Sequence, residues 1–93
     1  MRRKIKKWDD GDSGLLTNGQ RFRLAGVRAP EKGKQCGSTA TRRAAGMTGT
    51  TQGVVNVSIV GRDKYGRQLV NMSNKDGSIN QRLRKKGYTN KGR

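Results

Sequence analysis

The chain has 93 residues, 22 Lys and Arg against 6 Asp and Glu, a net charge of +16 and 29% hydrophobic residues. A single small domain with a thin core and a polyanionic partner fits these values; nucleic acid is favoured over an acidic membrane. One cysteine and no histidine exclude an intrachain disulfide, a Cys/His zinc site, a Cys–His nucleophile pair and any histidine acid or base.

No apolar run is long enough for a membrane span or a signal-peptide core. The expected location is therefore cytoplasmic, or an export signal is absent from this chain. Affinity for nucleic acid should rest on phosphate contacts and fall with salt.

Residues 1–8 hold five cations with Ile5 and Trp8. They read as a frayed basic end whose last residues join a strand, with a nucleic-acid-binding arm as the functional alternative. Asp9, Asp10 and Asp12 then crowd three like charges around Gly11. A cation must offset them, either a hard metal ion or neighbouring arginines. Leu15 to Phe22 reads as a β-hairpin, because Asn18-Gly19 is the favoured pair for a type I′ turn. In Arg21-Phe22-Arg23-Leu24 the apolar residues alternate with arginine, the period of a half-buried strand. That strand breaks before Pro30 and delivers Glu31, the only glutamate of the chain.

Lys32 to Gly37 reads as a polar loop, with Cys36 an unreactive residue at its junction with a helix. The helix is expected over Ser38–Met47, capped by Ser38 or Thr39, rich in alanine and ended by Gly46 or Gly49. Val54–Val60 reads as a strand with Val55, Val57 and Ile59 on one face. A turn over residues 61–66 leads into a strand that Arg67 opens and Met72 closes. Ser78–Lys86 reads as a short helix whose Ile79 and Leu83 share a face and plug the end of a barrel. Gly87 stops it, and the tail after Tyr88 is polar and expected to be mobile. Five strands with one helix between the third and fourth and a short C-terminal helix fit a mainly β fold, the five-stranded Greek-key barrel of the OB type. One domain covers 1–93, with 1–7 a basic segment and 89–93 a tail.

Asp10-Gly11-Asp12-Ser13, the stretch Arg23 to Glu31, and Asp63-Lys64-Tyr65-Gly66-Arg67 follow one another in a telling order. With Asp76 to Asn80 and Leu83 to Tyr88, they resemble the staphylococcal nuclease-like (thermonuclease) family over roughly Trp8 to Tyr88. The resemblance implies an OB barrel with a calcium-dependent phosphodiesterase site. Arg23 and Arg67 are similar to its phosphate-binding arginines. Glu31 is similar to the carboxylate that activates or orients water, and Asp12 to a calcium ligand. Lys64 and Tyr65 match residues that contact a nucleotide phosphate. Ala29 retains a backbone carbonyl where the family offers one to the ion. Arg28 departs from the pattern, standing where the family has its second calcium-ligating aspartate. Asp10 can supply the missing oxygen, or Arg28 can stand in for the ion's charge. A further C-terminal helix of the family prototype has no counterpart within this sequence.

The chemistry is coherent on its own terms. Two guanidinium forks can hold the oxygens of a five-coordinate phosphorane-like state, a carboxylate can align water, and a divalent ion lowers the cost. The implied function is a nuclease that hydrolyses DNA or RNA, single-stranded by preference and with little sequence specificity, acting as a monomer without a membrane. The alternative is an OB-fold module that binds nucleic acid without cutting. A basic structural protein that coats nucleic acid is a third class, and it gives the clustered acids no role.

Overall fold

The computed structural model describes residues 1–29 and 37–88. Pro30, Glu31, Cys36 and the tail 89–93 lie outside the described residues, and so does most of the loop expected over 32–37. The elements run β1 (Arg2–Asp10), β2 (Ser13–Leu16), β3 (Arg21–Leu24), α1 (Gly37–Gly49), β4 (Val54–Arg62), β5 (Gln68–Asn74), β6 (Gly77–Ser78) and α2 (Ile79–Lys85). The sheet order is β3-β2-β1-β4-β5-β6, and a β3–β5 pairing closes the first five strands into a ring. Every pairing is antiparallel except β3–β5, which is parallel, with Arg23 opposite Leu69. This is the closed five-stranded barrel of the OB type, with α1 between β3 and β4.

The basic N-terminal segment is not frayed. Arg2, Arg3 and Lys4 pair with Asn56, Val55 and Val54, and Met1 exchanges hydrogen bonds with Val57. A bulge between Ile5 and Lys7 turns both Ile5 and Trp8 inward although they lie three residues apart. Trp8 meets Phe22 edge-on, with ring centroids 5.1 Å apart, and its Nε1 donates to Thr48 Oγ1 at 3.1 Å.

The hairpin forms as expected, but its turn is not type I′. That turn needs positive φ at both central residues, and Gly19 (φ 89°) has it while Asn18 does not. Gly19 N–H donates to Leu16 O, and Leu16 N–H donates to Gln20 O. The loop is thus a three-residue connection with glycine in the left-handed position, the next commonest hairpin solution.

Ser38 and Thr39 lie inside the first turn of α1 rather than at its cap, and Gly46 lies in its interior; the helix ends at Gly49. Ala40 and Ala44 are fully buried on its inner face, where their small size lets the helix approach the barrel. In β4, Val55 and Val57 are buried as expected, but Ile59 is 42% exposed. It pairs with Val70 just before a bulge, where the β4–β5 hairpin runs past the core. β5 begins at Gln68, one residue after Arg67.

Ser78 caps α2, its Oγ accepting the Gln81 N–H. Ile79 and Leu83 are fully buried and close the barrel end; each contributes about 1.5–3 kcal/mol of apolar burial. Asn80, 1% exposed, ties three elements together. Its Oδ1 accepts Met72 N–H at 2.8 Å, and its Nδ2 donates to Ala25 O at 2.9 Å and Val70 O at 3.0 Å. Among the described residues no helix is long and apolar enough to cross a membrane.

Candidate functional site

The ring closes where β3 runs parallel to β5, and the polar residues singled out in the sequence gather around this seam. Phe22 and Leu24 point into the core, so Arg21 and Arg23 face outward by the alternation of a strand. Arg67, one residue before β5, extends the register that sets Phe22 opposite Gln68. It therefore falls on the same outer face as Arg23.

The acidic turn reaches this face through β2. Ser13 pairs with Arg23, and Leu24 N–H donates to Asp12 O at 2.8 Å. Asp12 is only 8% exposed. Its Oδ2 accepts the Ala29 N–H at 3.2 Å and lies 3.8 Å from an Arg23 nitrogen. Burial pushes the Asp12 carboxyl above its ordinary value. The Ala29 N–H and the Arg23 guanidinium pull it back, Asp10 adds to the rise, and Arg67 opposes it from across the seam. Among the described residues the Ala29 N–H and the arginines thus supply compensation that the crowded acids call for. Gly11 makes this packing possible, because a Cβ there would fall 2.8 Å from the Cβ atoms of both Ala29 and Ala40.

The segment after β3 is pinned from behind by α2. Asn80 Nδ2 and an Arg84 guanidinium nitrogen both donate to Ala25 O, and Arg28 N–H donates to Tyr88 O at 3.2 Å. These bonds fix Val27 to Ala29 beside Asp12. Sequence reasoning missed Asn80 and Arg84 in this positioning role, since nothing local in α2 points to residue 25.

Arg67 is held by its own turn. Its Nε donates to Asp63 Oδ2 at 2.6 Å and its backbone N–H to Asp63 Oδ1 at 2.9 Å; Tyr65 N–H shares Oδ1 at 2.9 Å. Desolvation works to raise the Asp63 carboxyl, but these donors outweigh it and hold the carboxyl below its ordinary value. Asp63 is a third missed residue; its i, i+4 spacing to Arg67 across Gly66 was the signal. Among the described residues no hydrogen bond reaches the two terminal nitrogens of Arg67. Tyr65 is 72% exposed, with Lys64 Nζ 5.2 Å and the Arg67 guanidinium 5.5 Å from its ring centre. Lys64 and Tyr65 therefore border Arg67 on the rim of the seam.

The structure thus brings together Arg23, Asp12 and Ala29 on one side and Arg67, Lys64 and Tyr65 on the other. Glu31 lies outside the described residues, two positions after Ala29. Asp10 lies beside Asp12, its Oδ2 accepting from Ser13 Oγ at 3.4 Å. Arg28 is exposed.

Calcium takes roughly six to eight oxygen ligands. Among the described residues no group of three His, Cys, Asp or Glu could hold a metal ion, and Asp12 Oδ2 already faces a backbone N–H and a guanidinium. The described donors do not fit a calcium ion. What the arrangement does offer is two partly buried guanidinium groups on one face of a rigid seam, fit to bind the oxygens of a phosphodiester.

A family model described as "Staphylococcal nuclease homologue" matches residues 21–92. The match includes Arg23, Glu31, Lys64, Tyr65 and Arg67, while Asp10 and Asp12 precede it. Comparison with curated proteins gives no match.

Proposed function

The chain belongs to the family of staphylococcal nuclease homologues, and we propose that it is a nuclease hydrolysing single-stranded DNA or RNA with little sequence specificity. The observation that carries this reading is the pairing of Arg23 and Arg67 on the outer face of the β3–β5 seam. The Arg23 guanidinium forms a 3.8 Å ion pair with Asp12, and that of Arg67 is oriented by Asp63 at 2.6 Å. A phosphate seated there meets two forked donors, and charge that builds on its oxygens during attack is stabilised without rearrangement of the site. Glu31 aligns the attacking water. Lys64 and Tyr65 hold the neighbouring phosphate, and the protein acts as a monomer. Calcium, where it contributes, requires oxygens beyond those of Asp12 and Asp10, such as the Ala29 carbonyl.

A second reading is a module that binds nucleic acid without cutting it. The exposed cation Arg28 at the position of an expected acid favours it, as does the inward-turned Asp12 carboxylate. The two readings part in one experiment. Purified protein is incubated with single-stranded DNA, with and without calcium, beside Glu31→Gln and Arg67→Ala. Cutting that both substitutions abolish supports the nuclease. Calcium-independent cutting assigns the missing charge to Arg28. Salt-sensitive binding with no cutting supports the binding module.

A further inference from the structure

β1 lies diametrically opposite the candidate site. In the ring its neighbours are β2 and β4, and the β3–β5 seam closes the far side. Its inward residues are Ile5 and Trp8. Arg2, Lys4 and Lys6 therefore alternate on the outer face, all exposed, and the bulge adds exposed Lys7 at the end of the row. Among the described residues Asp9 is an acid paired near this row, and it is taken by Lys7 at 3.6 Å and Arg21 at 2.9 Å. Among the described residues no carboxylate pairs with Arg2, Lys4 or Lys6.

Such a row is costly in isolation. Alternate residues of a strand stand about 6.6 Å apart, so like charges are lined up without counter-charges, on a chain that already carries +16. A linear polyanion relieves the repulsion, and neighbouring phosphates of an extended nucleic-acid strand have comparable spacing. We propose that the outer face of β1 is a second nucleic-acid docking surface, in which Arg2, Lys4 and Lys6 contact successive phosphates of a single strand on the wall opposite the seam. It shares its ligand class with the function proposed above but requires no cutting.

An anionic membrane is the weaker partner, because surface-bound segments combine charge with apolar anchors. Among the described residues the exposed apolar ones beside the row are only the terminal Met1 and the marginally exposed Val54 opposite Lys4, while Ile59 and Val60 lie on β4 beyond the stretch that pairs with β1. Two docking surfaces on opposite walls let one long strand engage both, which raises the effective concentration of substrate at the seam.

The test is the salt dependence of binding to a labelled oligothymidylate in EDTA, where a divalent-dependent cut is suppressed. Each phosphate contact on a single strand contributes about 0.7 to the slope of log K against log salt. Arg2→Gln/Lys4→Gln/Lys6→Gln should therefore flatten the slope by about 2 and weaken binding on the order of tenfold to a hundredfold at low salt. A control triple, Lys75→Gln/Lys85→Gln/Lys86→Gln, removes the same charge from other exposed sites and should change the slope by less than half as much. Circular dichroism and melting temperature establish that both triples fold.

Equal effects of the two triples would overturn the proposal, since charge alone would then explain binding. So would an unchanged oligonucleotide slope together with lost affinity for phosphatidylserine vesicles. A chain that never cuts but shows the selective drop refutes the nuclease and retains this surface. A chain that cuts without the drop does the reverse.

Discussion

Asp63 grips Arg67 twice, through Oδ2 to the guanidinium Nε at 2.6 Å and through Oδ1 to the backbone N–H at 2.9 Å. The clamp fixes both the turn and the direction of the cation. Asp63→Asn keeps an oxygen for the backbone N–H groups of Tyr65 and Arg67 but sets an amide against the guanidinium. Turnover on single-stranded DNA should fall about tenfold, below the loss caused by removing the guanidinium outright. The pH dependence has a definite sign. Because the folded carboxyl lies below its ordinary value, the stability it contributes is present above the ordinary carboxylate range. It is lost as pH falls through the lowered folded value. The stability difference between parent and Asp63→Asn should thus vanish in strong acid, which urea unfolding at a series of pH values measures.

Arg23 lies on β3 and Arg67 one residue before β5, the two strands that close the barrel, so each can stabilise charge on one phosphate from a different side. Replacing either by alanine should reduce turnover by on the order of a hundred- to a thousandfold, the scale found when one preorganised donor is removed. The paired substitution should cost less than the product of the two, because both donors serve the same charge. Initial rates on a fluorogenic oligonucleotide, at saturating substrate, decide this.

Much of the barrel was legible because local signals agreed. The alternation Arg21-Phe22-Arg23-Leu24 marked β3, and Ile79 with Leu83 marked a short helix with one buried face. β1 was not legible. Its bulge sets Ile5 and Trp8 three residues apart, which breaks the period of two, and five cations around them read as a solvated end. Ile59 continued the apolar alternation of β4, yet the hairpin carries it past the core. The site was legible as residue types but not as contacts. Arg23 opposes Asp12 only through β2–β3 pairing, and Arg67 reaches their face only through the parallel β3–β5 closure. Neither pairing leaves a signal in either local stretch.

Asp12 illustrates a cost taken for the sake of the site. Its carboxyl is pushed up by burial more than Ala29 N–H and Arg23 pull it down. A raised folded value means that stability is fully present below the unfolded value near the ordinary carboxylate range. It declines as pH rises through the folded value. Asp12→Asn retains an oxygen for the Ala29 N–H and carries no charge to desolvate. It should melt at a higher temperature than the parent at neutral pH, with the gain shrinking toward acid, and it should lose activity. Scanning calorimetry across that range, paired with an activity assay, measures both effects.

Asn80 fills a different role, as the polar joint of an otherwise apolar plug. Asn80→Ala leaves the Met72 N–H without its side-chain partner in the core; it also removes one of two donors to Val70 O, which keeps the Ala25 N–H, and one of two donors to Ala25 O, which keeps Arg84. The one orphaned buried donor costs about 1–3 kcal/mol and each of the two further lost hydrogen bonds about 0.5–1.5 kcal/mol, so a total of about 3 kcal/mol is expected. That is a large share of the roughly 5–15 kcal/mol that holds a typical domain folded. The urea midpoint should fall accordingly, with the slope of the transition unchanged.

Arg28 is where metal binding can be restored most directly. It is exposed, and its backbone N–H is fixed to Tyr88 O at 3.2 Å, one residue before the Ala29 N–H that touches Asp12. Arg28→Asp replaces a positive charge by a negative one on the residue before the Ala29 that binds Asp12, at a point whose backbone is already anchored. Hard divalent ions are held by the number and charge of their oxygen ligands. The substitution should therefore create calcium affinity that the parent lacks or strengthen a weak one by at least tenfold. Calorimetric titration reads this directly. Calcium should also raise the melting temperature of Arg28→Asp more than that of the parent, since a ligand bound only by the folded state stabilises it in proportion to the logarithm of its saturation. Without calcium the variant should be the less stable of the two, because the added carboxylate repels Asp10 and Asp12. A variant equally stable with and without the ion, and with no heat of binding, would show that the arginines and not a cation complete this site.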